Sequence, residues 1–224
     1  MEKKILILIS MIILSMLSCK ESNNSTEVDI LNGKVLMPLS VGNYWIYADS
    51  SFTDSGSKVD SLKLGISGKK TITYNNKDVV VYFWNWYNHD FSTLSPYYWY
   101  IANESEGLVN YGYAIDNVGD KRDTILRSIW YKYPVSVNES FKRYSIGYAP
   151  PSFSVNELTY TCLSTNATIK TPAGNFSCYL YKCIQPSGYF SEIYYYPGIG
   201  YVAAVFKNSS NKVTSNLSLM RYKI

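Results

Sequence analysis

The chain has 224 residues, a length that favours one ordinary folded domain or two small halves that share a core. Its 21 basic and 17 acidic residues give a net charge of +4 and are scattered along the chain, which argues against a nucleic-acid partner. Aromatic residues make up 16% of the chain, with 23 tyrosines among them, and this composition favours strands over helices.

The N-terminus has the features of a secretory signal. Lys3 and Lys4 precede an almost wholly apolar run over residues 5–17. This run is shorter than the ~20 residues that a membrane-spanning helix needs, and it matches the apolar region of a signal peptide. We therefore interpret residues 1–18 as a cleaved signal.

The apolar run ends in "MLSC", which resembles the lipobox of bacterial lipoproteins. The resemblance implies that Cys19 carries fatty acyl chains, such as palmitate, and becomes the mature N-terminus. An ordinary signal followed by an accidental cysteine is the alternative. Because Lys20 stands where inner-membrane lipoproteins have an aspartate, we expect an anchor in the outer rather than the inner membrane of the cell envelope.

Residues 19–33 are polar, lack a periodic apolar face and predict a flexible tether. We assign residues 34–224 to a single β domain. The predicted strands, in chain order, are 44–48, 59–67, 69–74, 79–87, 97–102, 108–115, 125–133, 158–170, 177–185, 192–196, 201–207 and 215–222. Polar loops are expected at 49–58 and 116–123, and Asn75-Asn76 predicts a hairpin turn. Residues 79–87 lack polar alternation, so both faces of that strand should be covered.

Two stretches of the chain share a pattern at an offset of 96 residues. "PLSVGNYWIY" aligns with "PVSVNESFKRY", so that Pro38 falls on Pro134 and Trp45 on Phe141. We infer an internal duplication with halves at 34–130 and 131–224. The expected fold is therefore all-β: an antiparallel curved sheet, a half-barrel or a sandwich, built from two related halves of about five strands each.

Three motifs, "LSVGNYWIY", "TPAGNFSCYLYK" and "YYYPGIGYV", resemble those of uncharacterised secreted lipoproteins of Bacteroidetes-type bacteria, with their VGxxW, PAGxF and YYxPGxG patterns. The resemblance covers nearly all of the mature chain and implies no assigned activity. Asn138 and Glu139 depart from the first motif in the second half. The glycines at 174, 198 and 200 are expected to serve turns.

The residues that support catalysis are scarce. His89 is the only histidine and lies beside Asp90 in a predicted loop, where we interpret it as a surface residue. Asp116, Asn117, Asp120 and Asp123 cluster in one turn that could hold Ca²⁺, but their spacing is not that of an EF-hand loop, and we interpret them as a solvated turn. We expect no enzyme activity, no metal and no cofactor.

Three cysteines follow Cys19. Cys178 and Cys183 are five residues apart, so on a regular strand they face opposite sides and should not bond to each other. Cys162 could form a disulfide with Cys178 or Cys183, and buried free thiols are the equal alternative.

The aromatic strands suggest binding. Trp84, Trp86, Tyr98 and Tyr100 are the candidate ligand-binding residues, with core packing as the alternative for each ring. The first hypothesis is a glycan- or protein-binding module, which exposed coplanar tryptophans would support. The second is a carrier of an apolar or lipid ligand, which a deep cavity lined by Leu, Val and Phe and open at one rim would support. The third is a hydrolase, which two carboxylates, or His89 with a hydroxyl, converging in a cleft would support.

Overall fold

The computed structural model describes residues 35–87, 90–117, 120–149 and 152–224. The predicted signal peptide, the tether with Cys19, and His89 lie outside these residues. Within the described ranges the secondary structure is strand and turn, and no helix there has the length and apolarity needed to cross a membrane.

Twelve antiparallel strands in the described chain form one continuous sheet. Their bounds are β1 Tyr44–Thr53, β2 Gly56–Tyr74, β3 Lys77–Tyr87, β4 Leu94–Glu104, β5 Gly107–Asn117, β6 Asp120–Lys132, β7 Ser140–Ala149, β8 Ser152–Thr171, β9 Gly174–Ile184, β10 Phe190–Tyr196, β11 Gly200–Lys207 and β12 Val213–Lys223.

The sheet consists of two meanders, β1 to β6 and β7 to β12, which pair with each other through β1 and β12. Its order is β6-β5-β4-β3-β2-β1-β12-β11-β10-β9-β8-β7, so the first strand of the chain pairs with the last. The two edge strands, β6 and β7, come together without a backbone ladder, and the backbone N–H of Tyr144 donates to Ser128 Oγ at 2.7 Å across this seam. The sheet is thus curved and nearly closed, which confirms the predicted all-β class and gives six strands in each half instead of five.

The strand predictions were wrong at three places. Residues 49–58 are not a polar loop, because β1 runs to Thr53 and β2 starts at Gly56. The predicted strands 59–67 and 69–74 are one strand, which carries a register irregularity between Ile66 and Gly68. At Gly68 a Cβ would lie 2.9 Å from the ring of Phe83, so this glycine makes room for a ring and does not end the strand.

The third error is β7, which the prediction missed. Its sequence, SFKRYSIGYA, carries Lys142 and Arg143 next to each other, and such a pair obscures the alternation of apolar and polar residues. The total of twelve was nevertheless right, because one strand had been split in two.

The main core fills the inside of the curved sheet. Leu64 and Ile66 are 7% and 1% exposed, and Leu62 packs against the same cluster, as the alternation along β2 predicted. The segment before β1 joins this core through Leu36 and Met37, both 1% exposed. We refer to this side of the sheet as the interior face.

A second, smaller cluster lies on the opposite face of β3, β4 and β5. Val81, Tyr100 and Val109 are its most buried members, and Phe83 and Tyr98 pack against it. Since Trp84 is buried on the interior face, the central part of β3 is covered on both sides, as predicted.

The first two strands of each half share their starting positions and their register. β7 and β8 begin 96 residues after β1 and β2, and every described pair in the β1–β2 register recurs in the β7–β8 register at that offset. Near the turn before each meander the backbone bonds Gly42 N to Ile66 O and Asn138 N to Cys162 O are equivalent. Both donors have positive φ, 95° at Gly42 and 65° at Asn138, so asparagine serves where the motif has glycine. The predicted duplication remains a prediction about origin, and these contacts support it.

Candidate functional site

A cavity of about 200 Å³ opens on the interior face, between the two halves. Seven strands line it. Arg143 comes from β7, and the other lining residues come from β2, β3, β4, β6, β10 and β11. The lining consists of Leu64, Trp84, Trp86, Trp99, Trp130, Tyr131, Arg143, Tyr195 and Tyr201. We call this space the interior cavity. In the described chain its lining contains no carboxylate and no histidine.

Four tryptophans line the interior cavity, and the fifth, Trp45, touches Trp84 with ring centroids 5.2 Å apart. Successive rings are tilted: Trp86 and Trp99 meet at 54°, and Trp99 and Trp130 at 50°. Such angles are typical of packed aromatic clusters. The rings therefore line a cavity and do not form the coplanar platform that would have supported the first hypothesis.

Arg143 is the one charged residue of the lining. Its Nη1 donates to Tyr131 Oη at 3.0 Å and to Tyr160 Oη at 3.2 Å. The guanidinium lies 4.8 Å from the ring centroid of Trp130 and 5.3 Å from that of Tyr131, distances at which cations interact with ring faces. Because Tyr131 is on β6 and Arg143 on β7, this side chain bridges the seam between the halves.

The same guanidinium has unused donors. Its Nε is buried and lacks a hydrogen-bond acceptor in the described chain. Its Nη2 has no hydrogen bond there either, and no carboxylate of the described residues lies within ion-pair distance. Arginine stays protonated at any pH a protein tolerates, so the cavity has an uncompensated positive charge.

The tyrosine hydroxyls around the cavity stay neutral. Burial raises the pKa of Tyr195 and Tyr201 well above the ordinary value for a phenol. Burial is also the main cause of the raised pKa of Tyr131, which the nearby Arg143 partly opposes. These hydroxyls can therefore donate or accept hydrogen bonds but supply no negative charge to the guanidinium.

A second space, of about 330 Å³, lies on the opposite face of the sheet. We call it the outer pocket. Tyr98 and Tyr100 line it, and Lys70 Nζ donates to Tyr100 Oη at 2.7 Å and pairs with Asp123 at 3.3 Å. Burial raises the pKa of both tyrosines to about 12. Unlike Arg143, the lysine here has an acidic partner.

The four predicted ligand-binding residues thus divide between two sites. Trp84 and Trp86 line the interior cavity, whereas Tyr98 and Tyr100 line the outer pocket. The register explains the division, because Trp84 pairs with Trp99 across β3 and β4, which places Tyr98 on the other face. The prediction grouped them by proximity in the chain, without the register.

The cysteines do not form a disulfide in this structure. Cys162, Cys178 and Cys183 are all free and buried, which is the alternative that the sequence left open. Burial raises the pKa of each, for Cys178 to about 12, so that they remain neutral thiols packed in the main core.

Within the described residues no group of three or more His, Cys, Asp or Glu side chains could hold a metal ion. His89 lies outside those residues. The predicted acidic turn is shorter than expected, since β5 runs to Asn117 and β6 starts at Asp120.

Sequence reasoning missed Trp99, Trp130 and Arg143 as site residues. Trp99 was hidden in a run of four rings, and Trp130 in a strand with no other signal. A weak signal for Arg143 existed: at the inferred offset of 96 residues it falls on Tyr47, so a cation replaces an aromatic ring in the repeat.

No family model matches the sequence, and no curated protein matches it. Among solved structures, the chain is similar to a protein assigned as exported, with a YmcC-like fold, from Bacteroides fragilis, at 14% identity and a TM-score of 0.45. It is also similar to a protein assigned as a lipoprotein from Parabacteroides distasonis, at 14% identity and a TM-score of 0.44. Each likeness covers 84% of this chain and 98% of the other. At this level of likeness the neighbours carry no argument about the activity of this chain.

Proposed function

We propose that this protein is a lipid-anchored lipoprotein of the bacterial envelope that binds a small apolar ligand in the interior cavity and catalyses no reaction. The carrying observation is the interior cavity itself, with four tryptophans in its walls. Its volume of about 200 Å³ is comparable to the ~150 Å³ of an engineered apolar cavity that binds benzene. One ring or one short alkyl chain therefore fits, whereas a two-chain lipid does not.

The lining supports binding over hydrolysis. A hydrolase needs a nucleophile with a base, or two carboxylates that converge on the substrate. The described lining offers instead tilted rings and neutral hydroxyls, which are the groups typical of a ligand pocket. Exposed aromatic and apolar side chains at such a site lower their free energy when a ligand displaces water from them.

The five tryptophans make binding directly measurable, because four line the cavity and Trp45 touches one of them. The sample is the chain from residue 19 onward with Cys19→Ser, which leaves out the lipid. The probe is ω-bromo-octanol, whose bromine quenches indole fluorescence on contact. We expect saturable quenching that plain octanol reverses by competition. Linear quenching without saturation, or no effect of octanol, would contradict the proposal.

A variant that fills the cavity separates binding from general stability. Leu64 lines the cavity, so Leu64→Phe should reduce its volume and weaken the binding of ω-bromo-octanol. Leu62 lies on the same strand and packs against the same core without lining the cavity, so Leu62→Phe is the matched control. Overpacking costs both variants about 1–3 kcal/mol of stability. Equal loss of binding in the two variants would count against this site.

The anchor is tested in the producing cells. Native mass spectrometry of the protein purified from its own membrane should report a mass increase from acyl chains on Cys19, together with any retained ligand. The Cys19→Ser chain should lose both fatty-acid labelling and membrane association. Separation of the two membranes on a density gradient should place the wild type in the outer one. Recovery in the inner membrane would overturn only the location.

The outer pocket favours a second candidate, the binding of a glycan. Tyr98 offers a half-buried ring beside the charged pair Lys70 and Asp123, a combination that suits sugars, which stack on rings and form hydrogen bonds with charged groups. Oligosaccharide binding that Tyr98→Ala abolishes and Leu64→Phe leaves unchanged would support this candidate. A protein partner on the same face would compete with the sugar.

A further inference from the structure

We infer that the ligand of the interior cavity is a single-chain amphiphile with an anionic head, and that Arg143 is the residue that recognises this head. The inference rests on the proposed function and adds the charge and orientation of the ligand. Its basis is a cation in the lining of an aromatic cavity, with no carboxylate partner among the described residues and with an Nε that lacks a hydrogen-bond acceptor there.

One edge of the guanidinium has no hydrogen-bond acceptor in the described chain. Nη1 is occupied by the hydroxyls of Tyr131 and Tyr160, while Nε and Nη2 have no acceptor in the described chain. Nε and Nη2 together form a planar fork whose spacing matches the two oxygens of a carboxylate or a phosphate. The two tyrosines thus hold the guanidinium through Nη1, and a ligand that engages the other edge displaces the atoms that cover Nε.

Leaving this edge empty is costly. A buried N–H without an acceptor costs about 1–3 kcal/mol, and a charge taken from water costs more unless it is paired. The rings of Trp130, Tyr131 and Tyr160 offset part of this cost through their faces. They accept no hydrogen bond from Nε, so this donor stays without an acceptor in the ligand-free protein.

The strand register at position 143 does not require an arginine. The equivalent position in the first half is Tyr47, which is fully buried and whose hydroxyl donates to the carbonyl of Tyr201 at 2.8 Å. A neutral ring therefore serves the same place in the same strand register. The cation at position 143 has no counterpart in the packing of the other half, and it lines the interior cavity.

The test compares two ligands that share one alkyl tail and differ in the head group. In the wild type, ω-bromo-octanoate should bind about tenfold or more tightly than ω-bromo-octanol at neutral pH, since a hydrogen bond to a charged group is strong when desolvated. Octyl phosphate as competitor distinguishes a carboxylate from a phosphate preference. Equal affinity for acid and alcohol would overturn the inference while the proposed function stands. Absence of binding by both would overturn the two together.

Variants then assign the preference to the guanidinium. Arg143→Gln should still bind the alcohol but lose the tenfold preference for the acid, and Arg143→Lys, which keeps the charge without the fork, should fall between. Arg221→Gln removes the same charge from an exposed strand position and is the control, expected to behave as the wild type. A preference that survives in a folded Arg143→Gln would contradict the assignment. If this variant does not fold, Arg143→Tyr, which copies Tyr47, replaces it.

Discussion

The two halves of the sheet share a strand register and differ in the side chains that fill their cores. The cross-strand pairs Leu64–Trp86 and Ile66–Trp84 of the first half correspond to Tyr160–Cys183 and Cys162–Tyr181 in the second. All five tryptophans belong to the first half, and the three buried cysteines belong to the second. The two halves therefore share a backbone register and differ in their side chains.

The pairs show how the core accommodates this difference. Leu64 faces Trp86, and the corresponding Tyr160 faces Cys183, so the large ring lies on opposite strands of the two pairs. A core accepts such exchanges when its total volume and pattern are kept. The exchange that breaks this rule is Tyr47 to Arg143, because it introduces a charge, and this is the position that faces the interior cavity.

The largest difference in stability is expected between two single variants, each of which places one of these residues at the position of the other. Tyr47→Arg places an unpaired cation in a fully buried position and should destabilise the protein by about 5 kcal/mol, enough to prevent folding. Arg143→Tyr should remain within about 1 kcal/mol of the wild type, because a ring already serves the equivalent place. Urea denaturation followed by circular dichroism measures both. Equal losses would show that Arg143 is structural.

A smaller loss of stability is expected from truncating Trp45 and Phe141, which occupy corresponding positions in the two halves. Trp45 is fully buried and its Nε1 donates to the carbonyl of Ile199 at 2.7 Å, whereas Phe141 is 8% exposed and makes no such bond. Trp45→Ala should cost about 4 kcal/mol and Phe141→Ala about 3 kcal/mol, measured by guanidinium denaturation. Trp45→Phe, which copies the second half, should lose less than either. The reverse order would contradict the asymmetry.

Alkaline pH should destabilise the protein through the thiols of the second half. Burial raises the pKa of Cys178 to about 12 in the folded state, while the unfolded thiol titrates near the ordinary value. The neutral thiol is thus favoured by folding, so stability is intact below about pH 9 and falls by about 1.4 kcal/mol per pH unit from there toward pH 12.

Cys178→Val isolates this contribution, because valine is an apolar residue of similar size that carries no titratable group. The variant should show a shallower fall of Tm between pH 9 and 11 than the wild type. The raised pKa values of the buried tyrosines produce a fall in the same direction, and this part should remain in the variant. Identical slopes for the two proteins would refute the role of Cys178.

The smallest effect concerns the turn that precedes each meander. Gly42 has a φ of 95° and no atom within 4 Å of the place where a Cβ would lie, so Gly42→Ala should cost about 1 kcal/mol from the backbone alone. Asn138→Gly should change the stability by a few tenths of a kcal/mol, because asparagine already tolerates a positive φ. Thermal denaturation compares the two. A large effect at Asn138 would mean that its side chain matters.

Much of the architecture was accessible from local signals. Asn75 and Asn76 have positive φ, as their hairpin turn required, and so do Gly174, Gly198 and Gly200 at the predicted turns. The alternation of Leu62, Leu64 and Ile66 correctly predicted the interior face of β2. Such signals depend on one residue or one strand, so they can be read without knowing which strands pair.

The sites were less accessible, because they depend on register between distant strands. Trp84 and Tyr98 are close in the sequence and lie on opposite faces, whereas Tyr131 and Arg143 meet across a seam that no local pattern marks. The free state of the three thiols was likewise left open by their spacing alone.

The sequence alone determined that this is an aromatic, strand-built chain with turns at defined places, because turn geometry and alternation depend on neighbouring residues. The tertiary structure decided that β1 pairs with β12, that β6 meets β7, and that four tryptophans and one unpaired arginine surround a common cavity. Those outcomes depend on how far the sheet curves and on which register each pair of strands adopts, and both are set by packing between residues far apart in the chain.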